Sequence, residues 1–266
     1  MMTDHIMVSR REAIATVTFN RPEAGNALNA EMLEALPGIA RDLARDPTVR
    51  AVVVTGQGGS FCTGGDVKAM AFSGLLDEAS SFEQRVEAFR SFMQFSRLLH
   101  EMPKPTLAVI PGSTAGAGLS IALACDFRIA ADNAKLTTAF AKVGLSGDFG
   151  GTYFLQRLVG AAKARELYFM ADVFDGRRAA ELGIVTRSVP AERLGEEADL
   201  LARRLADLPT VAIGYMKKNL NLGAHATLDQ VLDSEATYLI RTMMTEDHKA
   251  AAHAFTEKRA PLFHGR

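Results

Sequence analysis

No tryptophan occurs in the chain, and only two cysteines do. Cys62 and Cys125 sit in apolar, glycine-rich settings and build no disulfide framework, which fits a reducing cytosol and a cytoplasmic location. No histidines stand at ligand spacing beside them, so no zinc or other metal site is expected. An excess of charge of one sign is also missing. Lys+Arg number 30 against 31 Asp+Glu, a net charge of −1 with no basic stripe. Neither nucleic acid nor an anionic membrane is therefore an expected partner. Long apolar runs are absent: "LAVI" and "IALA" are core-sized and far short of a bilayer span. The opening "MMTDHIMVSRREAIATVTF" has no apolar stretch of signal-peptide length, and Asp4 and Glu12 argue against a transit peptide. What remains is a chain of 266 residues, 48% hydrophobic and 23% charged, sized for one large globular domain or a domain with an appendage.

The patterning is mixed α/β. "AIATVTFN" (13–20) alternates and is rich in Val, Thr and Phe, so it reads as a strand ended by Arg21-Pro22. Helical spacing of Met32, Leu33, Leu36, Ile39 and Leu43 follows, with Asn29 as a cap and Pro37 as a site for a kink. "RAVVVTG" (50–56) is a second strand. The order strand, helix, strand predicts a right-handed parallel crossover. Further strands are expected at 105–112, in "FRIAAD", in "KLTTAF" and at 183–189, and a helical stripe of Phe89, Phe92, Phe95 and Leu98 lies within 71–100. After Pro190 the pattern turns wholly helical, over 191–207, 209–222, 228–245 and 247–258. We therefore divide the chain into a core, 1–193, and a helical C-terminal region, 194–266, whose apolar face predicts self-association.

Three glycine-rich loops each open a helix: "GQGGSFCTGGDVKAM" (56–70), "STAGAGLSIALACD" (113–126) and "GLSGDFGGTYFLQRLVG" (144–160). Glycine lets backbone approach a ligand, and a helix start leaves N–H groups without intrahelical partners, so the first two loops suit a negative oxygen. Neither carries the GK[ST] of a phosphate loop or the G-x-G-x-x-G of a dinucleotide fold. Ser120 lacks a G-x-S-x-G elbow. The third loop holds one carboxylate, Asp148. On spacing alone it reads as the N-cap of a helix that closes at Gly160, or as the reagent of an active site.

Taken in order, "NRPEAGNAL" (20–28), "SFCTGGDVK" (60–68), "PGSTAGAGLSIALACD" (111–126), "AFAKVGLSGDFGGTYFLQRLVGAAKA" (139–164) and "AFTEKRAPLF" (254–263) resemble the motifs of the crotonase, or enoyl-CoA hydratase/isomerase, superfamily. The resemblance covers nearly the whole chain. It implies a spiral of ββα units with a C-terminal helical region, and a homotrimer or a hexamer built as a dimer of trimers. It implies an acyl-CoA thioester substrate, with CoA carried as part of that substrate and no separate cofactor. Two backbone N–H groups, of Gly65 and Ala117, would polarise the thioester carbonyl. Ala24, Gly25, Thr63, Asp66, Val67 and Gly118 would line the CoA channel, and Phe255 and Lys258 would reach the CoA of the same or an adjacent subunit.

The resemblance also bears on the reaction. Hydratases of the superfamily carry two glutamates, at the positions of Ser120 and Phe140 here, and neither is present. Asp148 falls where isomerase-type members keep a single acid. Shifting a double bond from the 3- to the 2-position needs one base, and Phe140 and Phe149 would supply an apolar pocket that raises its pKa. The chain looks most like isomerases of the phenylacetate pathway. It departs from them at Gly147, where they commonly have proline, and this predicts a looser hinge. The missing tryptophan, and Arg97 where a histidine would fall, argue against the dehalogenase chemistry of the superfamily. A hydratase of unusual specificity and a non-catalytic acyl-CoA-binding trimer are the alternatives.

Overall fold

The computed structural model describes residues 4–66 and 80–266. Val67 and the expected helix after the first glycine loop lie outside the described residues. Ten strands form two sheets among those described. The larger contains β1 (Ile6–Arg11), β2 (Ile14–Phe19), β3 (Ala51–Gly56), β5 (Thr106–Ile110), β7 (Phe127–Ala131) and β10 (Arg187–Val189), in that spatial order. The smaller contains β4 (Ser60–Cys62), β6 (Ser113–Ala115), β8 (Lys135–Thr137) and β9 (Phe174–Asp175), again in that order. Successive strands alternate between the sheets: β3 then β4, β5 then β6, β7 then β8. Each pass of the chain thus adds one strand to each sheet and one turn to a spiral.

The expected crossover is present. β2 pairs in parallel with β3, and the connection carries α1 (Ala30–Arg45). Asn29 caps that helix, its side-chain oxygen accepting from Met32 N at 3.0 Å. Met32, Leu33, Leu36, Ala40 and Leu43 enter the core, and Pro37 lies inside the helix without breaking it. Several short elements escaped the sequence reading, among them β4 and β6, which lie within segments read as glycine-rich loops. β1 pairs antiparallel with β2 at the sheet edge and buries only Ile6, so it shows no apolar alternation. β9 is two residues long. At 183–189 only the last three residues form strand.

Helices cover the sheets. α2 (Phe82–Phe92) and α3 (Gln94–Glu101) precede β5, and α4 (Ala117–Ala124), buried along its whole length, follows β6. α5 (Gly151–Met170) follows the third glycine loop, and α6 (Gly176–Glu181) precedes β10. The C-terminal region contains α7 (Leu194–Ala206), α8 (Thr210–Gly223), α9 (Leu228–Met243) and α10 (Glu246–Thr256). α7 places Leu194, Ala198, Ala202 and Leu205 in the main core. α8 is tied down by buried Lys217, whose Nζ donates to Asp126 Oδ2 and to Leu99 O, each at 2.8 Å. Asp126 also accepts from Thr106 N at 2.8 Å, so the ion pair joins α8 to the start of β5.

Candidate active site

β4, β6 and β8 run parallel and side by side, with Cys62 opposite Thr114 and Thr114 opposite Leu136. Their C-terminal ends therefore share one edge, where ligands of parallel sheets gather. The loop after β4 brings Thr63, Gly64 and Gly65 there. The loop after β6 brings Gly116 and Ala117, and the segment after β8 leads through Phe140 to Asp148.

The two expected donors are presented by different means. Leu28 forms a parallel bridge with Gly65: Leu28 N donates to Gly64 O at 2.8 Å, and Asp66 N donates to Leu28 O at 3.0 Å. Alternation along an extended segment then turns the N–H of Gly65 to the opposite side. Ala117 is the first residue of α4, and the capping residue Gly116 offers no side chain to its first turn. Neither N–H finds an acceptor among the described residues. Close packing sets their relation. A Cβ on Gly118 would lie 2.1 Å from Cys62 O, and one on Gly64 would lie 3.6 Å from Ala117 N. The first turn of α4 thus rests on the backbone of β4. Gly118 is a packing contact in this arrangement.

Asp148 does not cap its helix. The N-cap of α5 is Gly150, at φ 79°, with no side-chain cap bond, and Asp148 contributes only its backbone carbonyl, to Gly151 N at 3.0 Å. The expected break at Gly160 is present: its φ of 78° and ψ of 159° are non-helical, and a second helical segment follows directly and runs to Met170. The Asp148 carboxyl turns inward. Oδ1 is buried and has no hydrogen-bond partner among the described residues. Burial raises its pKa from 3.8 to about 7. Its charge reaches the Cys62 thiol beneath the first loop and the Tyr168 phenol.

Gly147 has φ 114°, which proline cannot adopt, so the glycine belongs to a different, defined backbone path. Phe149 is held at φ 47° and fully buried, its ring against Phe89 of α2 with centroids 6.4 Å apart. Such a backbone state costs about 1–3 kcal/mol and persists only where packing holds it.

The remaining expected residues separate into three groups. Ala24, Gly25 and Thr63 come together: Thr63 N donates to Gly25 O at 3.1 Å, and a Cβ on Gly25 would meet the Thr63 methyl at 2.9 Å. Asp66 is engaged by Arg21 at 3.2 Å, which ties the first signature loop to the second. Phe255, 84% exposed, and Lys258 lie at the end of α10. Among the described residues no side-chain hydrogen bond, ion pair or ring contact joins either to the three loops.

One residue at the site was not foreseen. Tyr168 comes from the far end of α5, past the Gly160 kink. Its ring stacks on Phe140 with centroids 6.0 Å apart and an interplanar angle of 4°. Its hydroxyl and Ser120 Oγ would each lie 2.3 Å from a Cβ on Gly151. Ser120 Oγ also bonds Gly116 O at 3.2 Å. The two positions expected to lack carboxylates, Ser120 and Phe140, therefore both face Tyr168. A distance of 48 residues between Ser120 and Tyr168 left no spacing signal to read.

Backbone N–H groups without an acceptor among the described residues, and a half-buried carboxyl raised to about 7, are groups of the kind that hold a carbonyl oxygen and move a proton. A profile of the enoyl-CoA hydratase/isomerase family matches residues 9–266, and the chain belongs to that family. It is similar to 1,2-epoxyphenylacetyl-CoA isomerase of Escherichia coli K12, with 35% identity over 265 residues and full coverage of both chains. It is also similar to crotonyl-CoA hydratase of Syntrophomonas wolfei, at 33% over 264 residues and 99% of each chain. The crystal structure of an enoyl-CoA hydratase from Bacillus anthracis superposes with a TM-score of 0.89 at 30% identity, over 98% of this chain and 100% of that one. The fold is that of the crotonases, as the motifs implied.

Proposed function

We propose that the protein is an enoyl-CoA isomerase that shifts a double bond from the 3- to the 2-position of an acyl-CoA thioester, with Asp148 as its base. The observation that carries this reading is the Asp148 carboxyl: half-buried, with Oδ1 buried and unpartnered among the described residues, and raised to about 7. In the reaction Asp148 takes a proton from C2. The electron pair moves into a dienolate, and the charge on the thioester oxygen is held by the N–H groups of Gly65 and Ala117. The carboxylic acid returns the proton at C4, and the 2-enoyl thioester results. Loss of one such donor typically costs about 3–4 kcal/mol of transition-state stabilisation. The reaction needs no cofactor beyond the CoA of its substrate. The similarity to an epoxyphenylacetyl-CoA isomerase, together with the phenylalanine-rich surroundings of Asp148, favours ring-bearing acyl groups. Ala24, Gly25 and Thr63 lie together as a channel wall for CoA. The exposed ends Phe255 and Lys258 suit contact with a CoA held by a neighbouring subunit of a homotrimer or hexamer.

Similarity to a crotonyl-CoA hydratase supports hydration as the second reading. One set of assays decides. Wild type and Asp148→Asn are given 3-enoyl-CoA, 2-enoyl-CoA and ring-derived thioesters. Isomerisation should fall by about 10²–10⁴ in the variant while thioester binding survives. Full activity of Asp148→Asn would remove the acid from the mechanism. Rapid wild-type loss of the conjugated absorbance of 2-enoyl-CoA would establish hydration instead. No turnover of any thioester, with binding retained, would mark an acyl-CoA binder.

A further inference from the structure

We propose that the ring of Tyr168 is the specificity-determining wall of this site: it keeps water away from the Asp148 carboxyl and so stops the double-bond shift from running on to hydration. The inference rests on the isomerase reading above. Its starting point is chemical. The product of the shift, a 2-enoyl thioester, is the substrate of hydration. It forms with its carbonyl already on two donors and a carboxylate beside it. Addition of water puts OH on C3 and H on C2; with Asp148 taking the proton from water and delivering it to C2 in place of the absent glutamate pair, the component still required is a water molecule at the reacting carbons.

Tyr168 packs beside the segment that carries Asp148. One face of its ring is stacked on Phe140. Its edge lies 3.4 Å from where a Cβ on Gly147 would be, next to Asp148. Its hydroxyl and Ser120 Oγ converge on Gly151 so closely that a methyl group there would meet both at 2.3 Å, and a space too small for a methyl is too small for water. On its outer side Tyr168 lines a surface groove of about 290 Å³ together with Ser146, Thr152, Gln156, Arg165 and Phe169. The ring is thus the partition between that groove and the carboxyl. The titratable groups that Asp148 faces among the described residues are the Cys62 thiol on β4 and the Tyr168 phenol on α5. Burial pushes both up to about 12, so both are neutral near pH 7 and neither offsets the desolvation of the acid.

The test uses the full chain with Tyr168→Ala, Tyr168→Leu and Tyr168→Phe. Products from 3-enoyl-CoA are separated into 2-enoyl and 3-hydroxyacyl thioesters, and kcat/KM is followed against pH. Tyr168→Ala should raise the ratio of hydrated to isomerised product roughly tenfold or more. Water reaching Asp148 should also move the acidic limb of kcat/KM down by about one pH unit. Tyr168→Leu, which keeps a core side chain should alanine fail to fold, should move both in the same direction. Tyr168→Phe keeps the ring and should leave both where they are. An unmoved ratio and limb in folded Tyr168→Ala or Tyr168→Leu would overturn the wall, and so would an equal change in Tyr168→Phe. Wild-type enzyme that hydrates 2-enoyl-CoA as fast as it isomerises would instead overturn the isomerase reading, and the wall with it.

Discussion

A carboxyl held near pKa 7 acts on the fold as well as on a substrate. Asp148 binds its proton more tightly in the folded state, at about 7, than at its ordinary value of 3.8. Between those values the folded chain carries more protons than the unfolded one, so stability declines as pH rises and is fully present only below the lower value. The shift corresponds to about 4 kcal/mol lost by pH 8, as an order of magnitude. Asn cannot ionise and removes this dependence. Asp148→Asn should therefore melt close to wild type near pH 4 and several degrees above it at pH 8, the gap opening between about 4 and 7. Thermal melts of the two proteins across that range check it, and a gap that stays constant with pH would show that Asp148 is not desolvated. The sequence alone left the direction of this side chain open, because an acid before a helix is ordinarily a cap. What decides it is Gly150, which takes the N-cap position in a left-handed conformation and leaves the acid without a helix N–H to accept from. No spacing rule distinguishes the two glycines flanking "DF" in that role.

The helix start at Ala117 is accurate only because α4 lies directly on β4. The missing Cβ of Gly118 allows this contact, since any side chain there would overlap Cys62 O. Gly118→Ala should lift the first turn of α4, displace the N–H of Ala117 from that of Gly65, and cost on the order of 10²–10³ in kcat, the loss typical of one donor. It should also lower the melting temperature. Gly38 is the control: it sits in α1 with nothing within 4 Å of its Cβ position, and Gly38→Ala should leave activity unchanged and stabilise by about 0.4–1 kcal/mol. Equal activity in the two variants would show that the contact does not position the donor. At this scale the sequence was most readable where an element is half-buried with a clear period, as in α1, or is flanked by glycine and proline, as in β5. It failed for β1, whose outward side chains are almost all exposed at a sheet edge, and for the second part of α5. Gly160 does interrupt the helix as expected, but a further helical segment follows at once and delivers Tyr168. A residue placed by a kink and a return across the site belongs to tertiary structure, and local pattern carries no trace of it.

The molecule as a whole buries one face of its C-terminal region and exposes the other. α7 closes the core, and Lys217 fixes α8 to Asp126, but the outer faces of α8 and α9 leave Leu220 at 76%, Leu228 at 72% and Leu239 at 61% exposed. Tyr215 and Tyr238 stack between the two helices at 4.4 Å, lining an apolar groove with Ala212, Met216, Leu232 and Leu239. Apolar surface of this kind on a chain of net charge −1 meets no strong self-repulsion to keep copies apart. We therefore propose that second copies of the chain cover it. A leucine taken from water to a packed interface contributes about 1.5–3 kcal/mol, so several per copy are needed to offset the cost of association and reach micromolar affinity. Sedimentation of the wild type should give three or six times the chain mass of 28.7 kDa. Leu239→Glu would bury a charge without a partner in each copy and should shift the protein toward monomers while the fold persists in circular dichroism. If Phe255 and Lys258 act on a CoA bound by the neighbouring copy, the same variant should raise KM for the thioester more than it lowers kcat, because the chemistry at Asp148 stays within one chain. A wild type that sediments as a monomer would end this proposal. An unchanged KM in monomeric Leu239→Glu would instead return Phe255 and Lys258 to the surface, where the single chain already displays them.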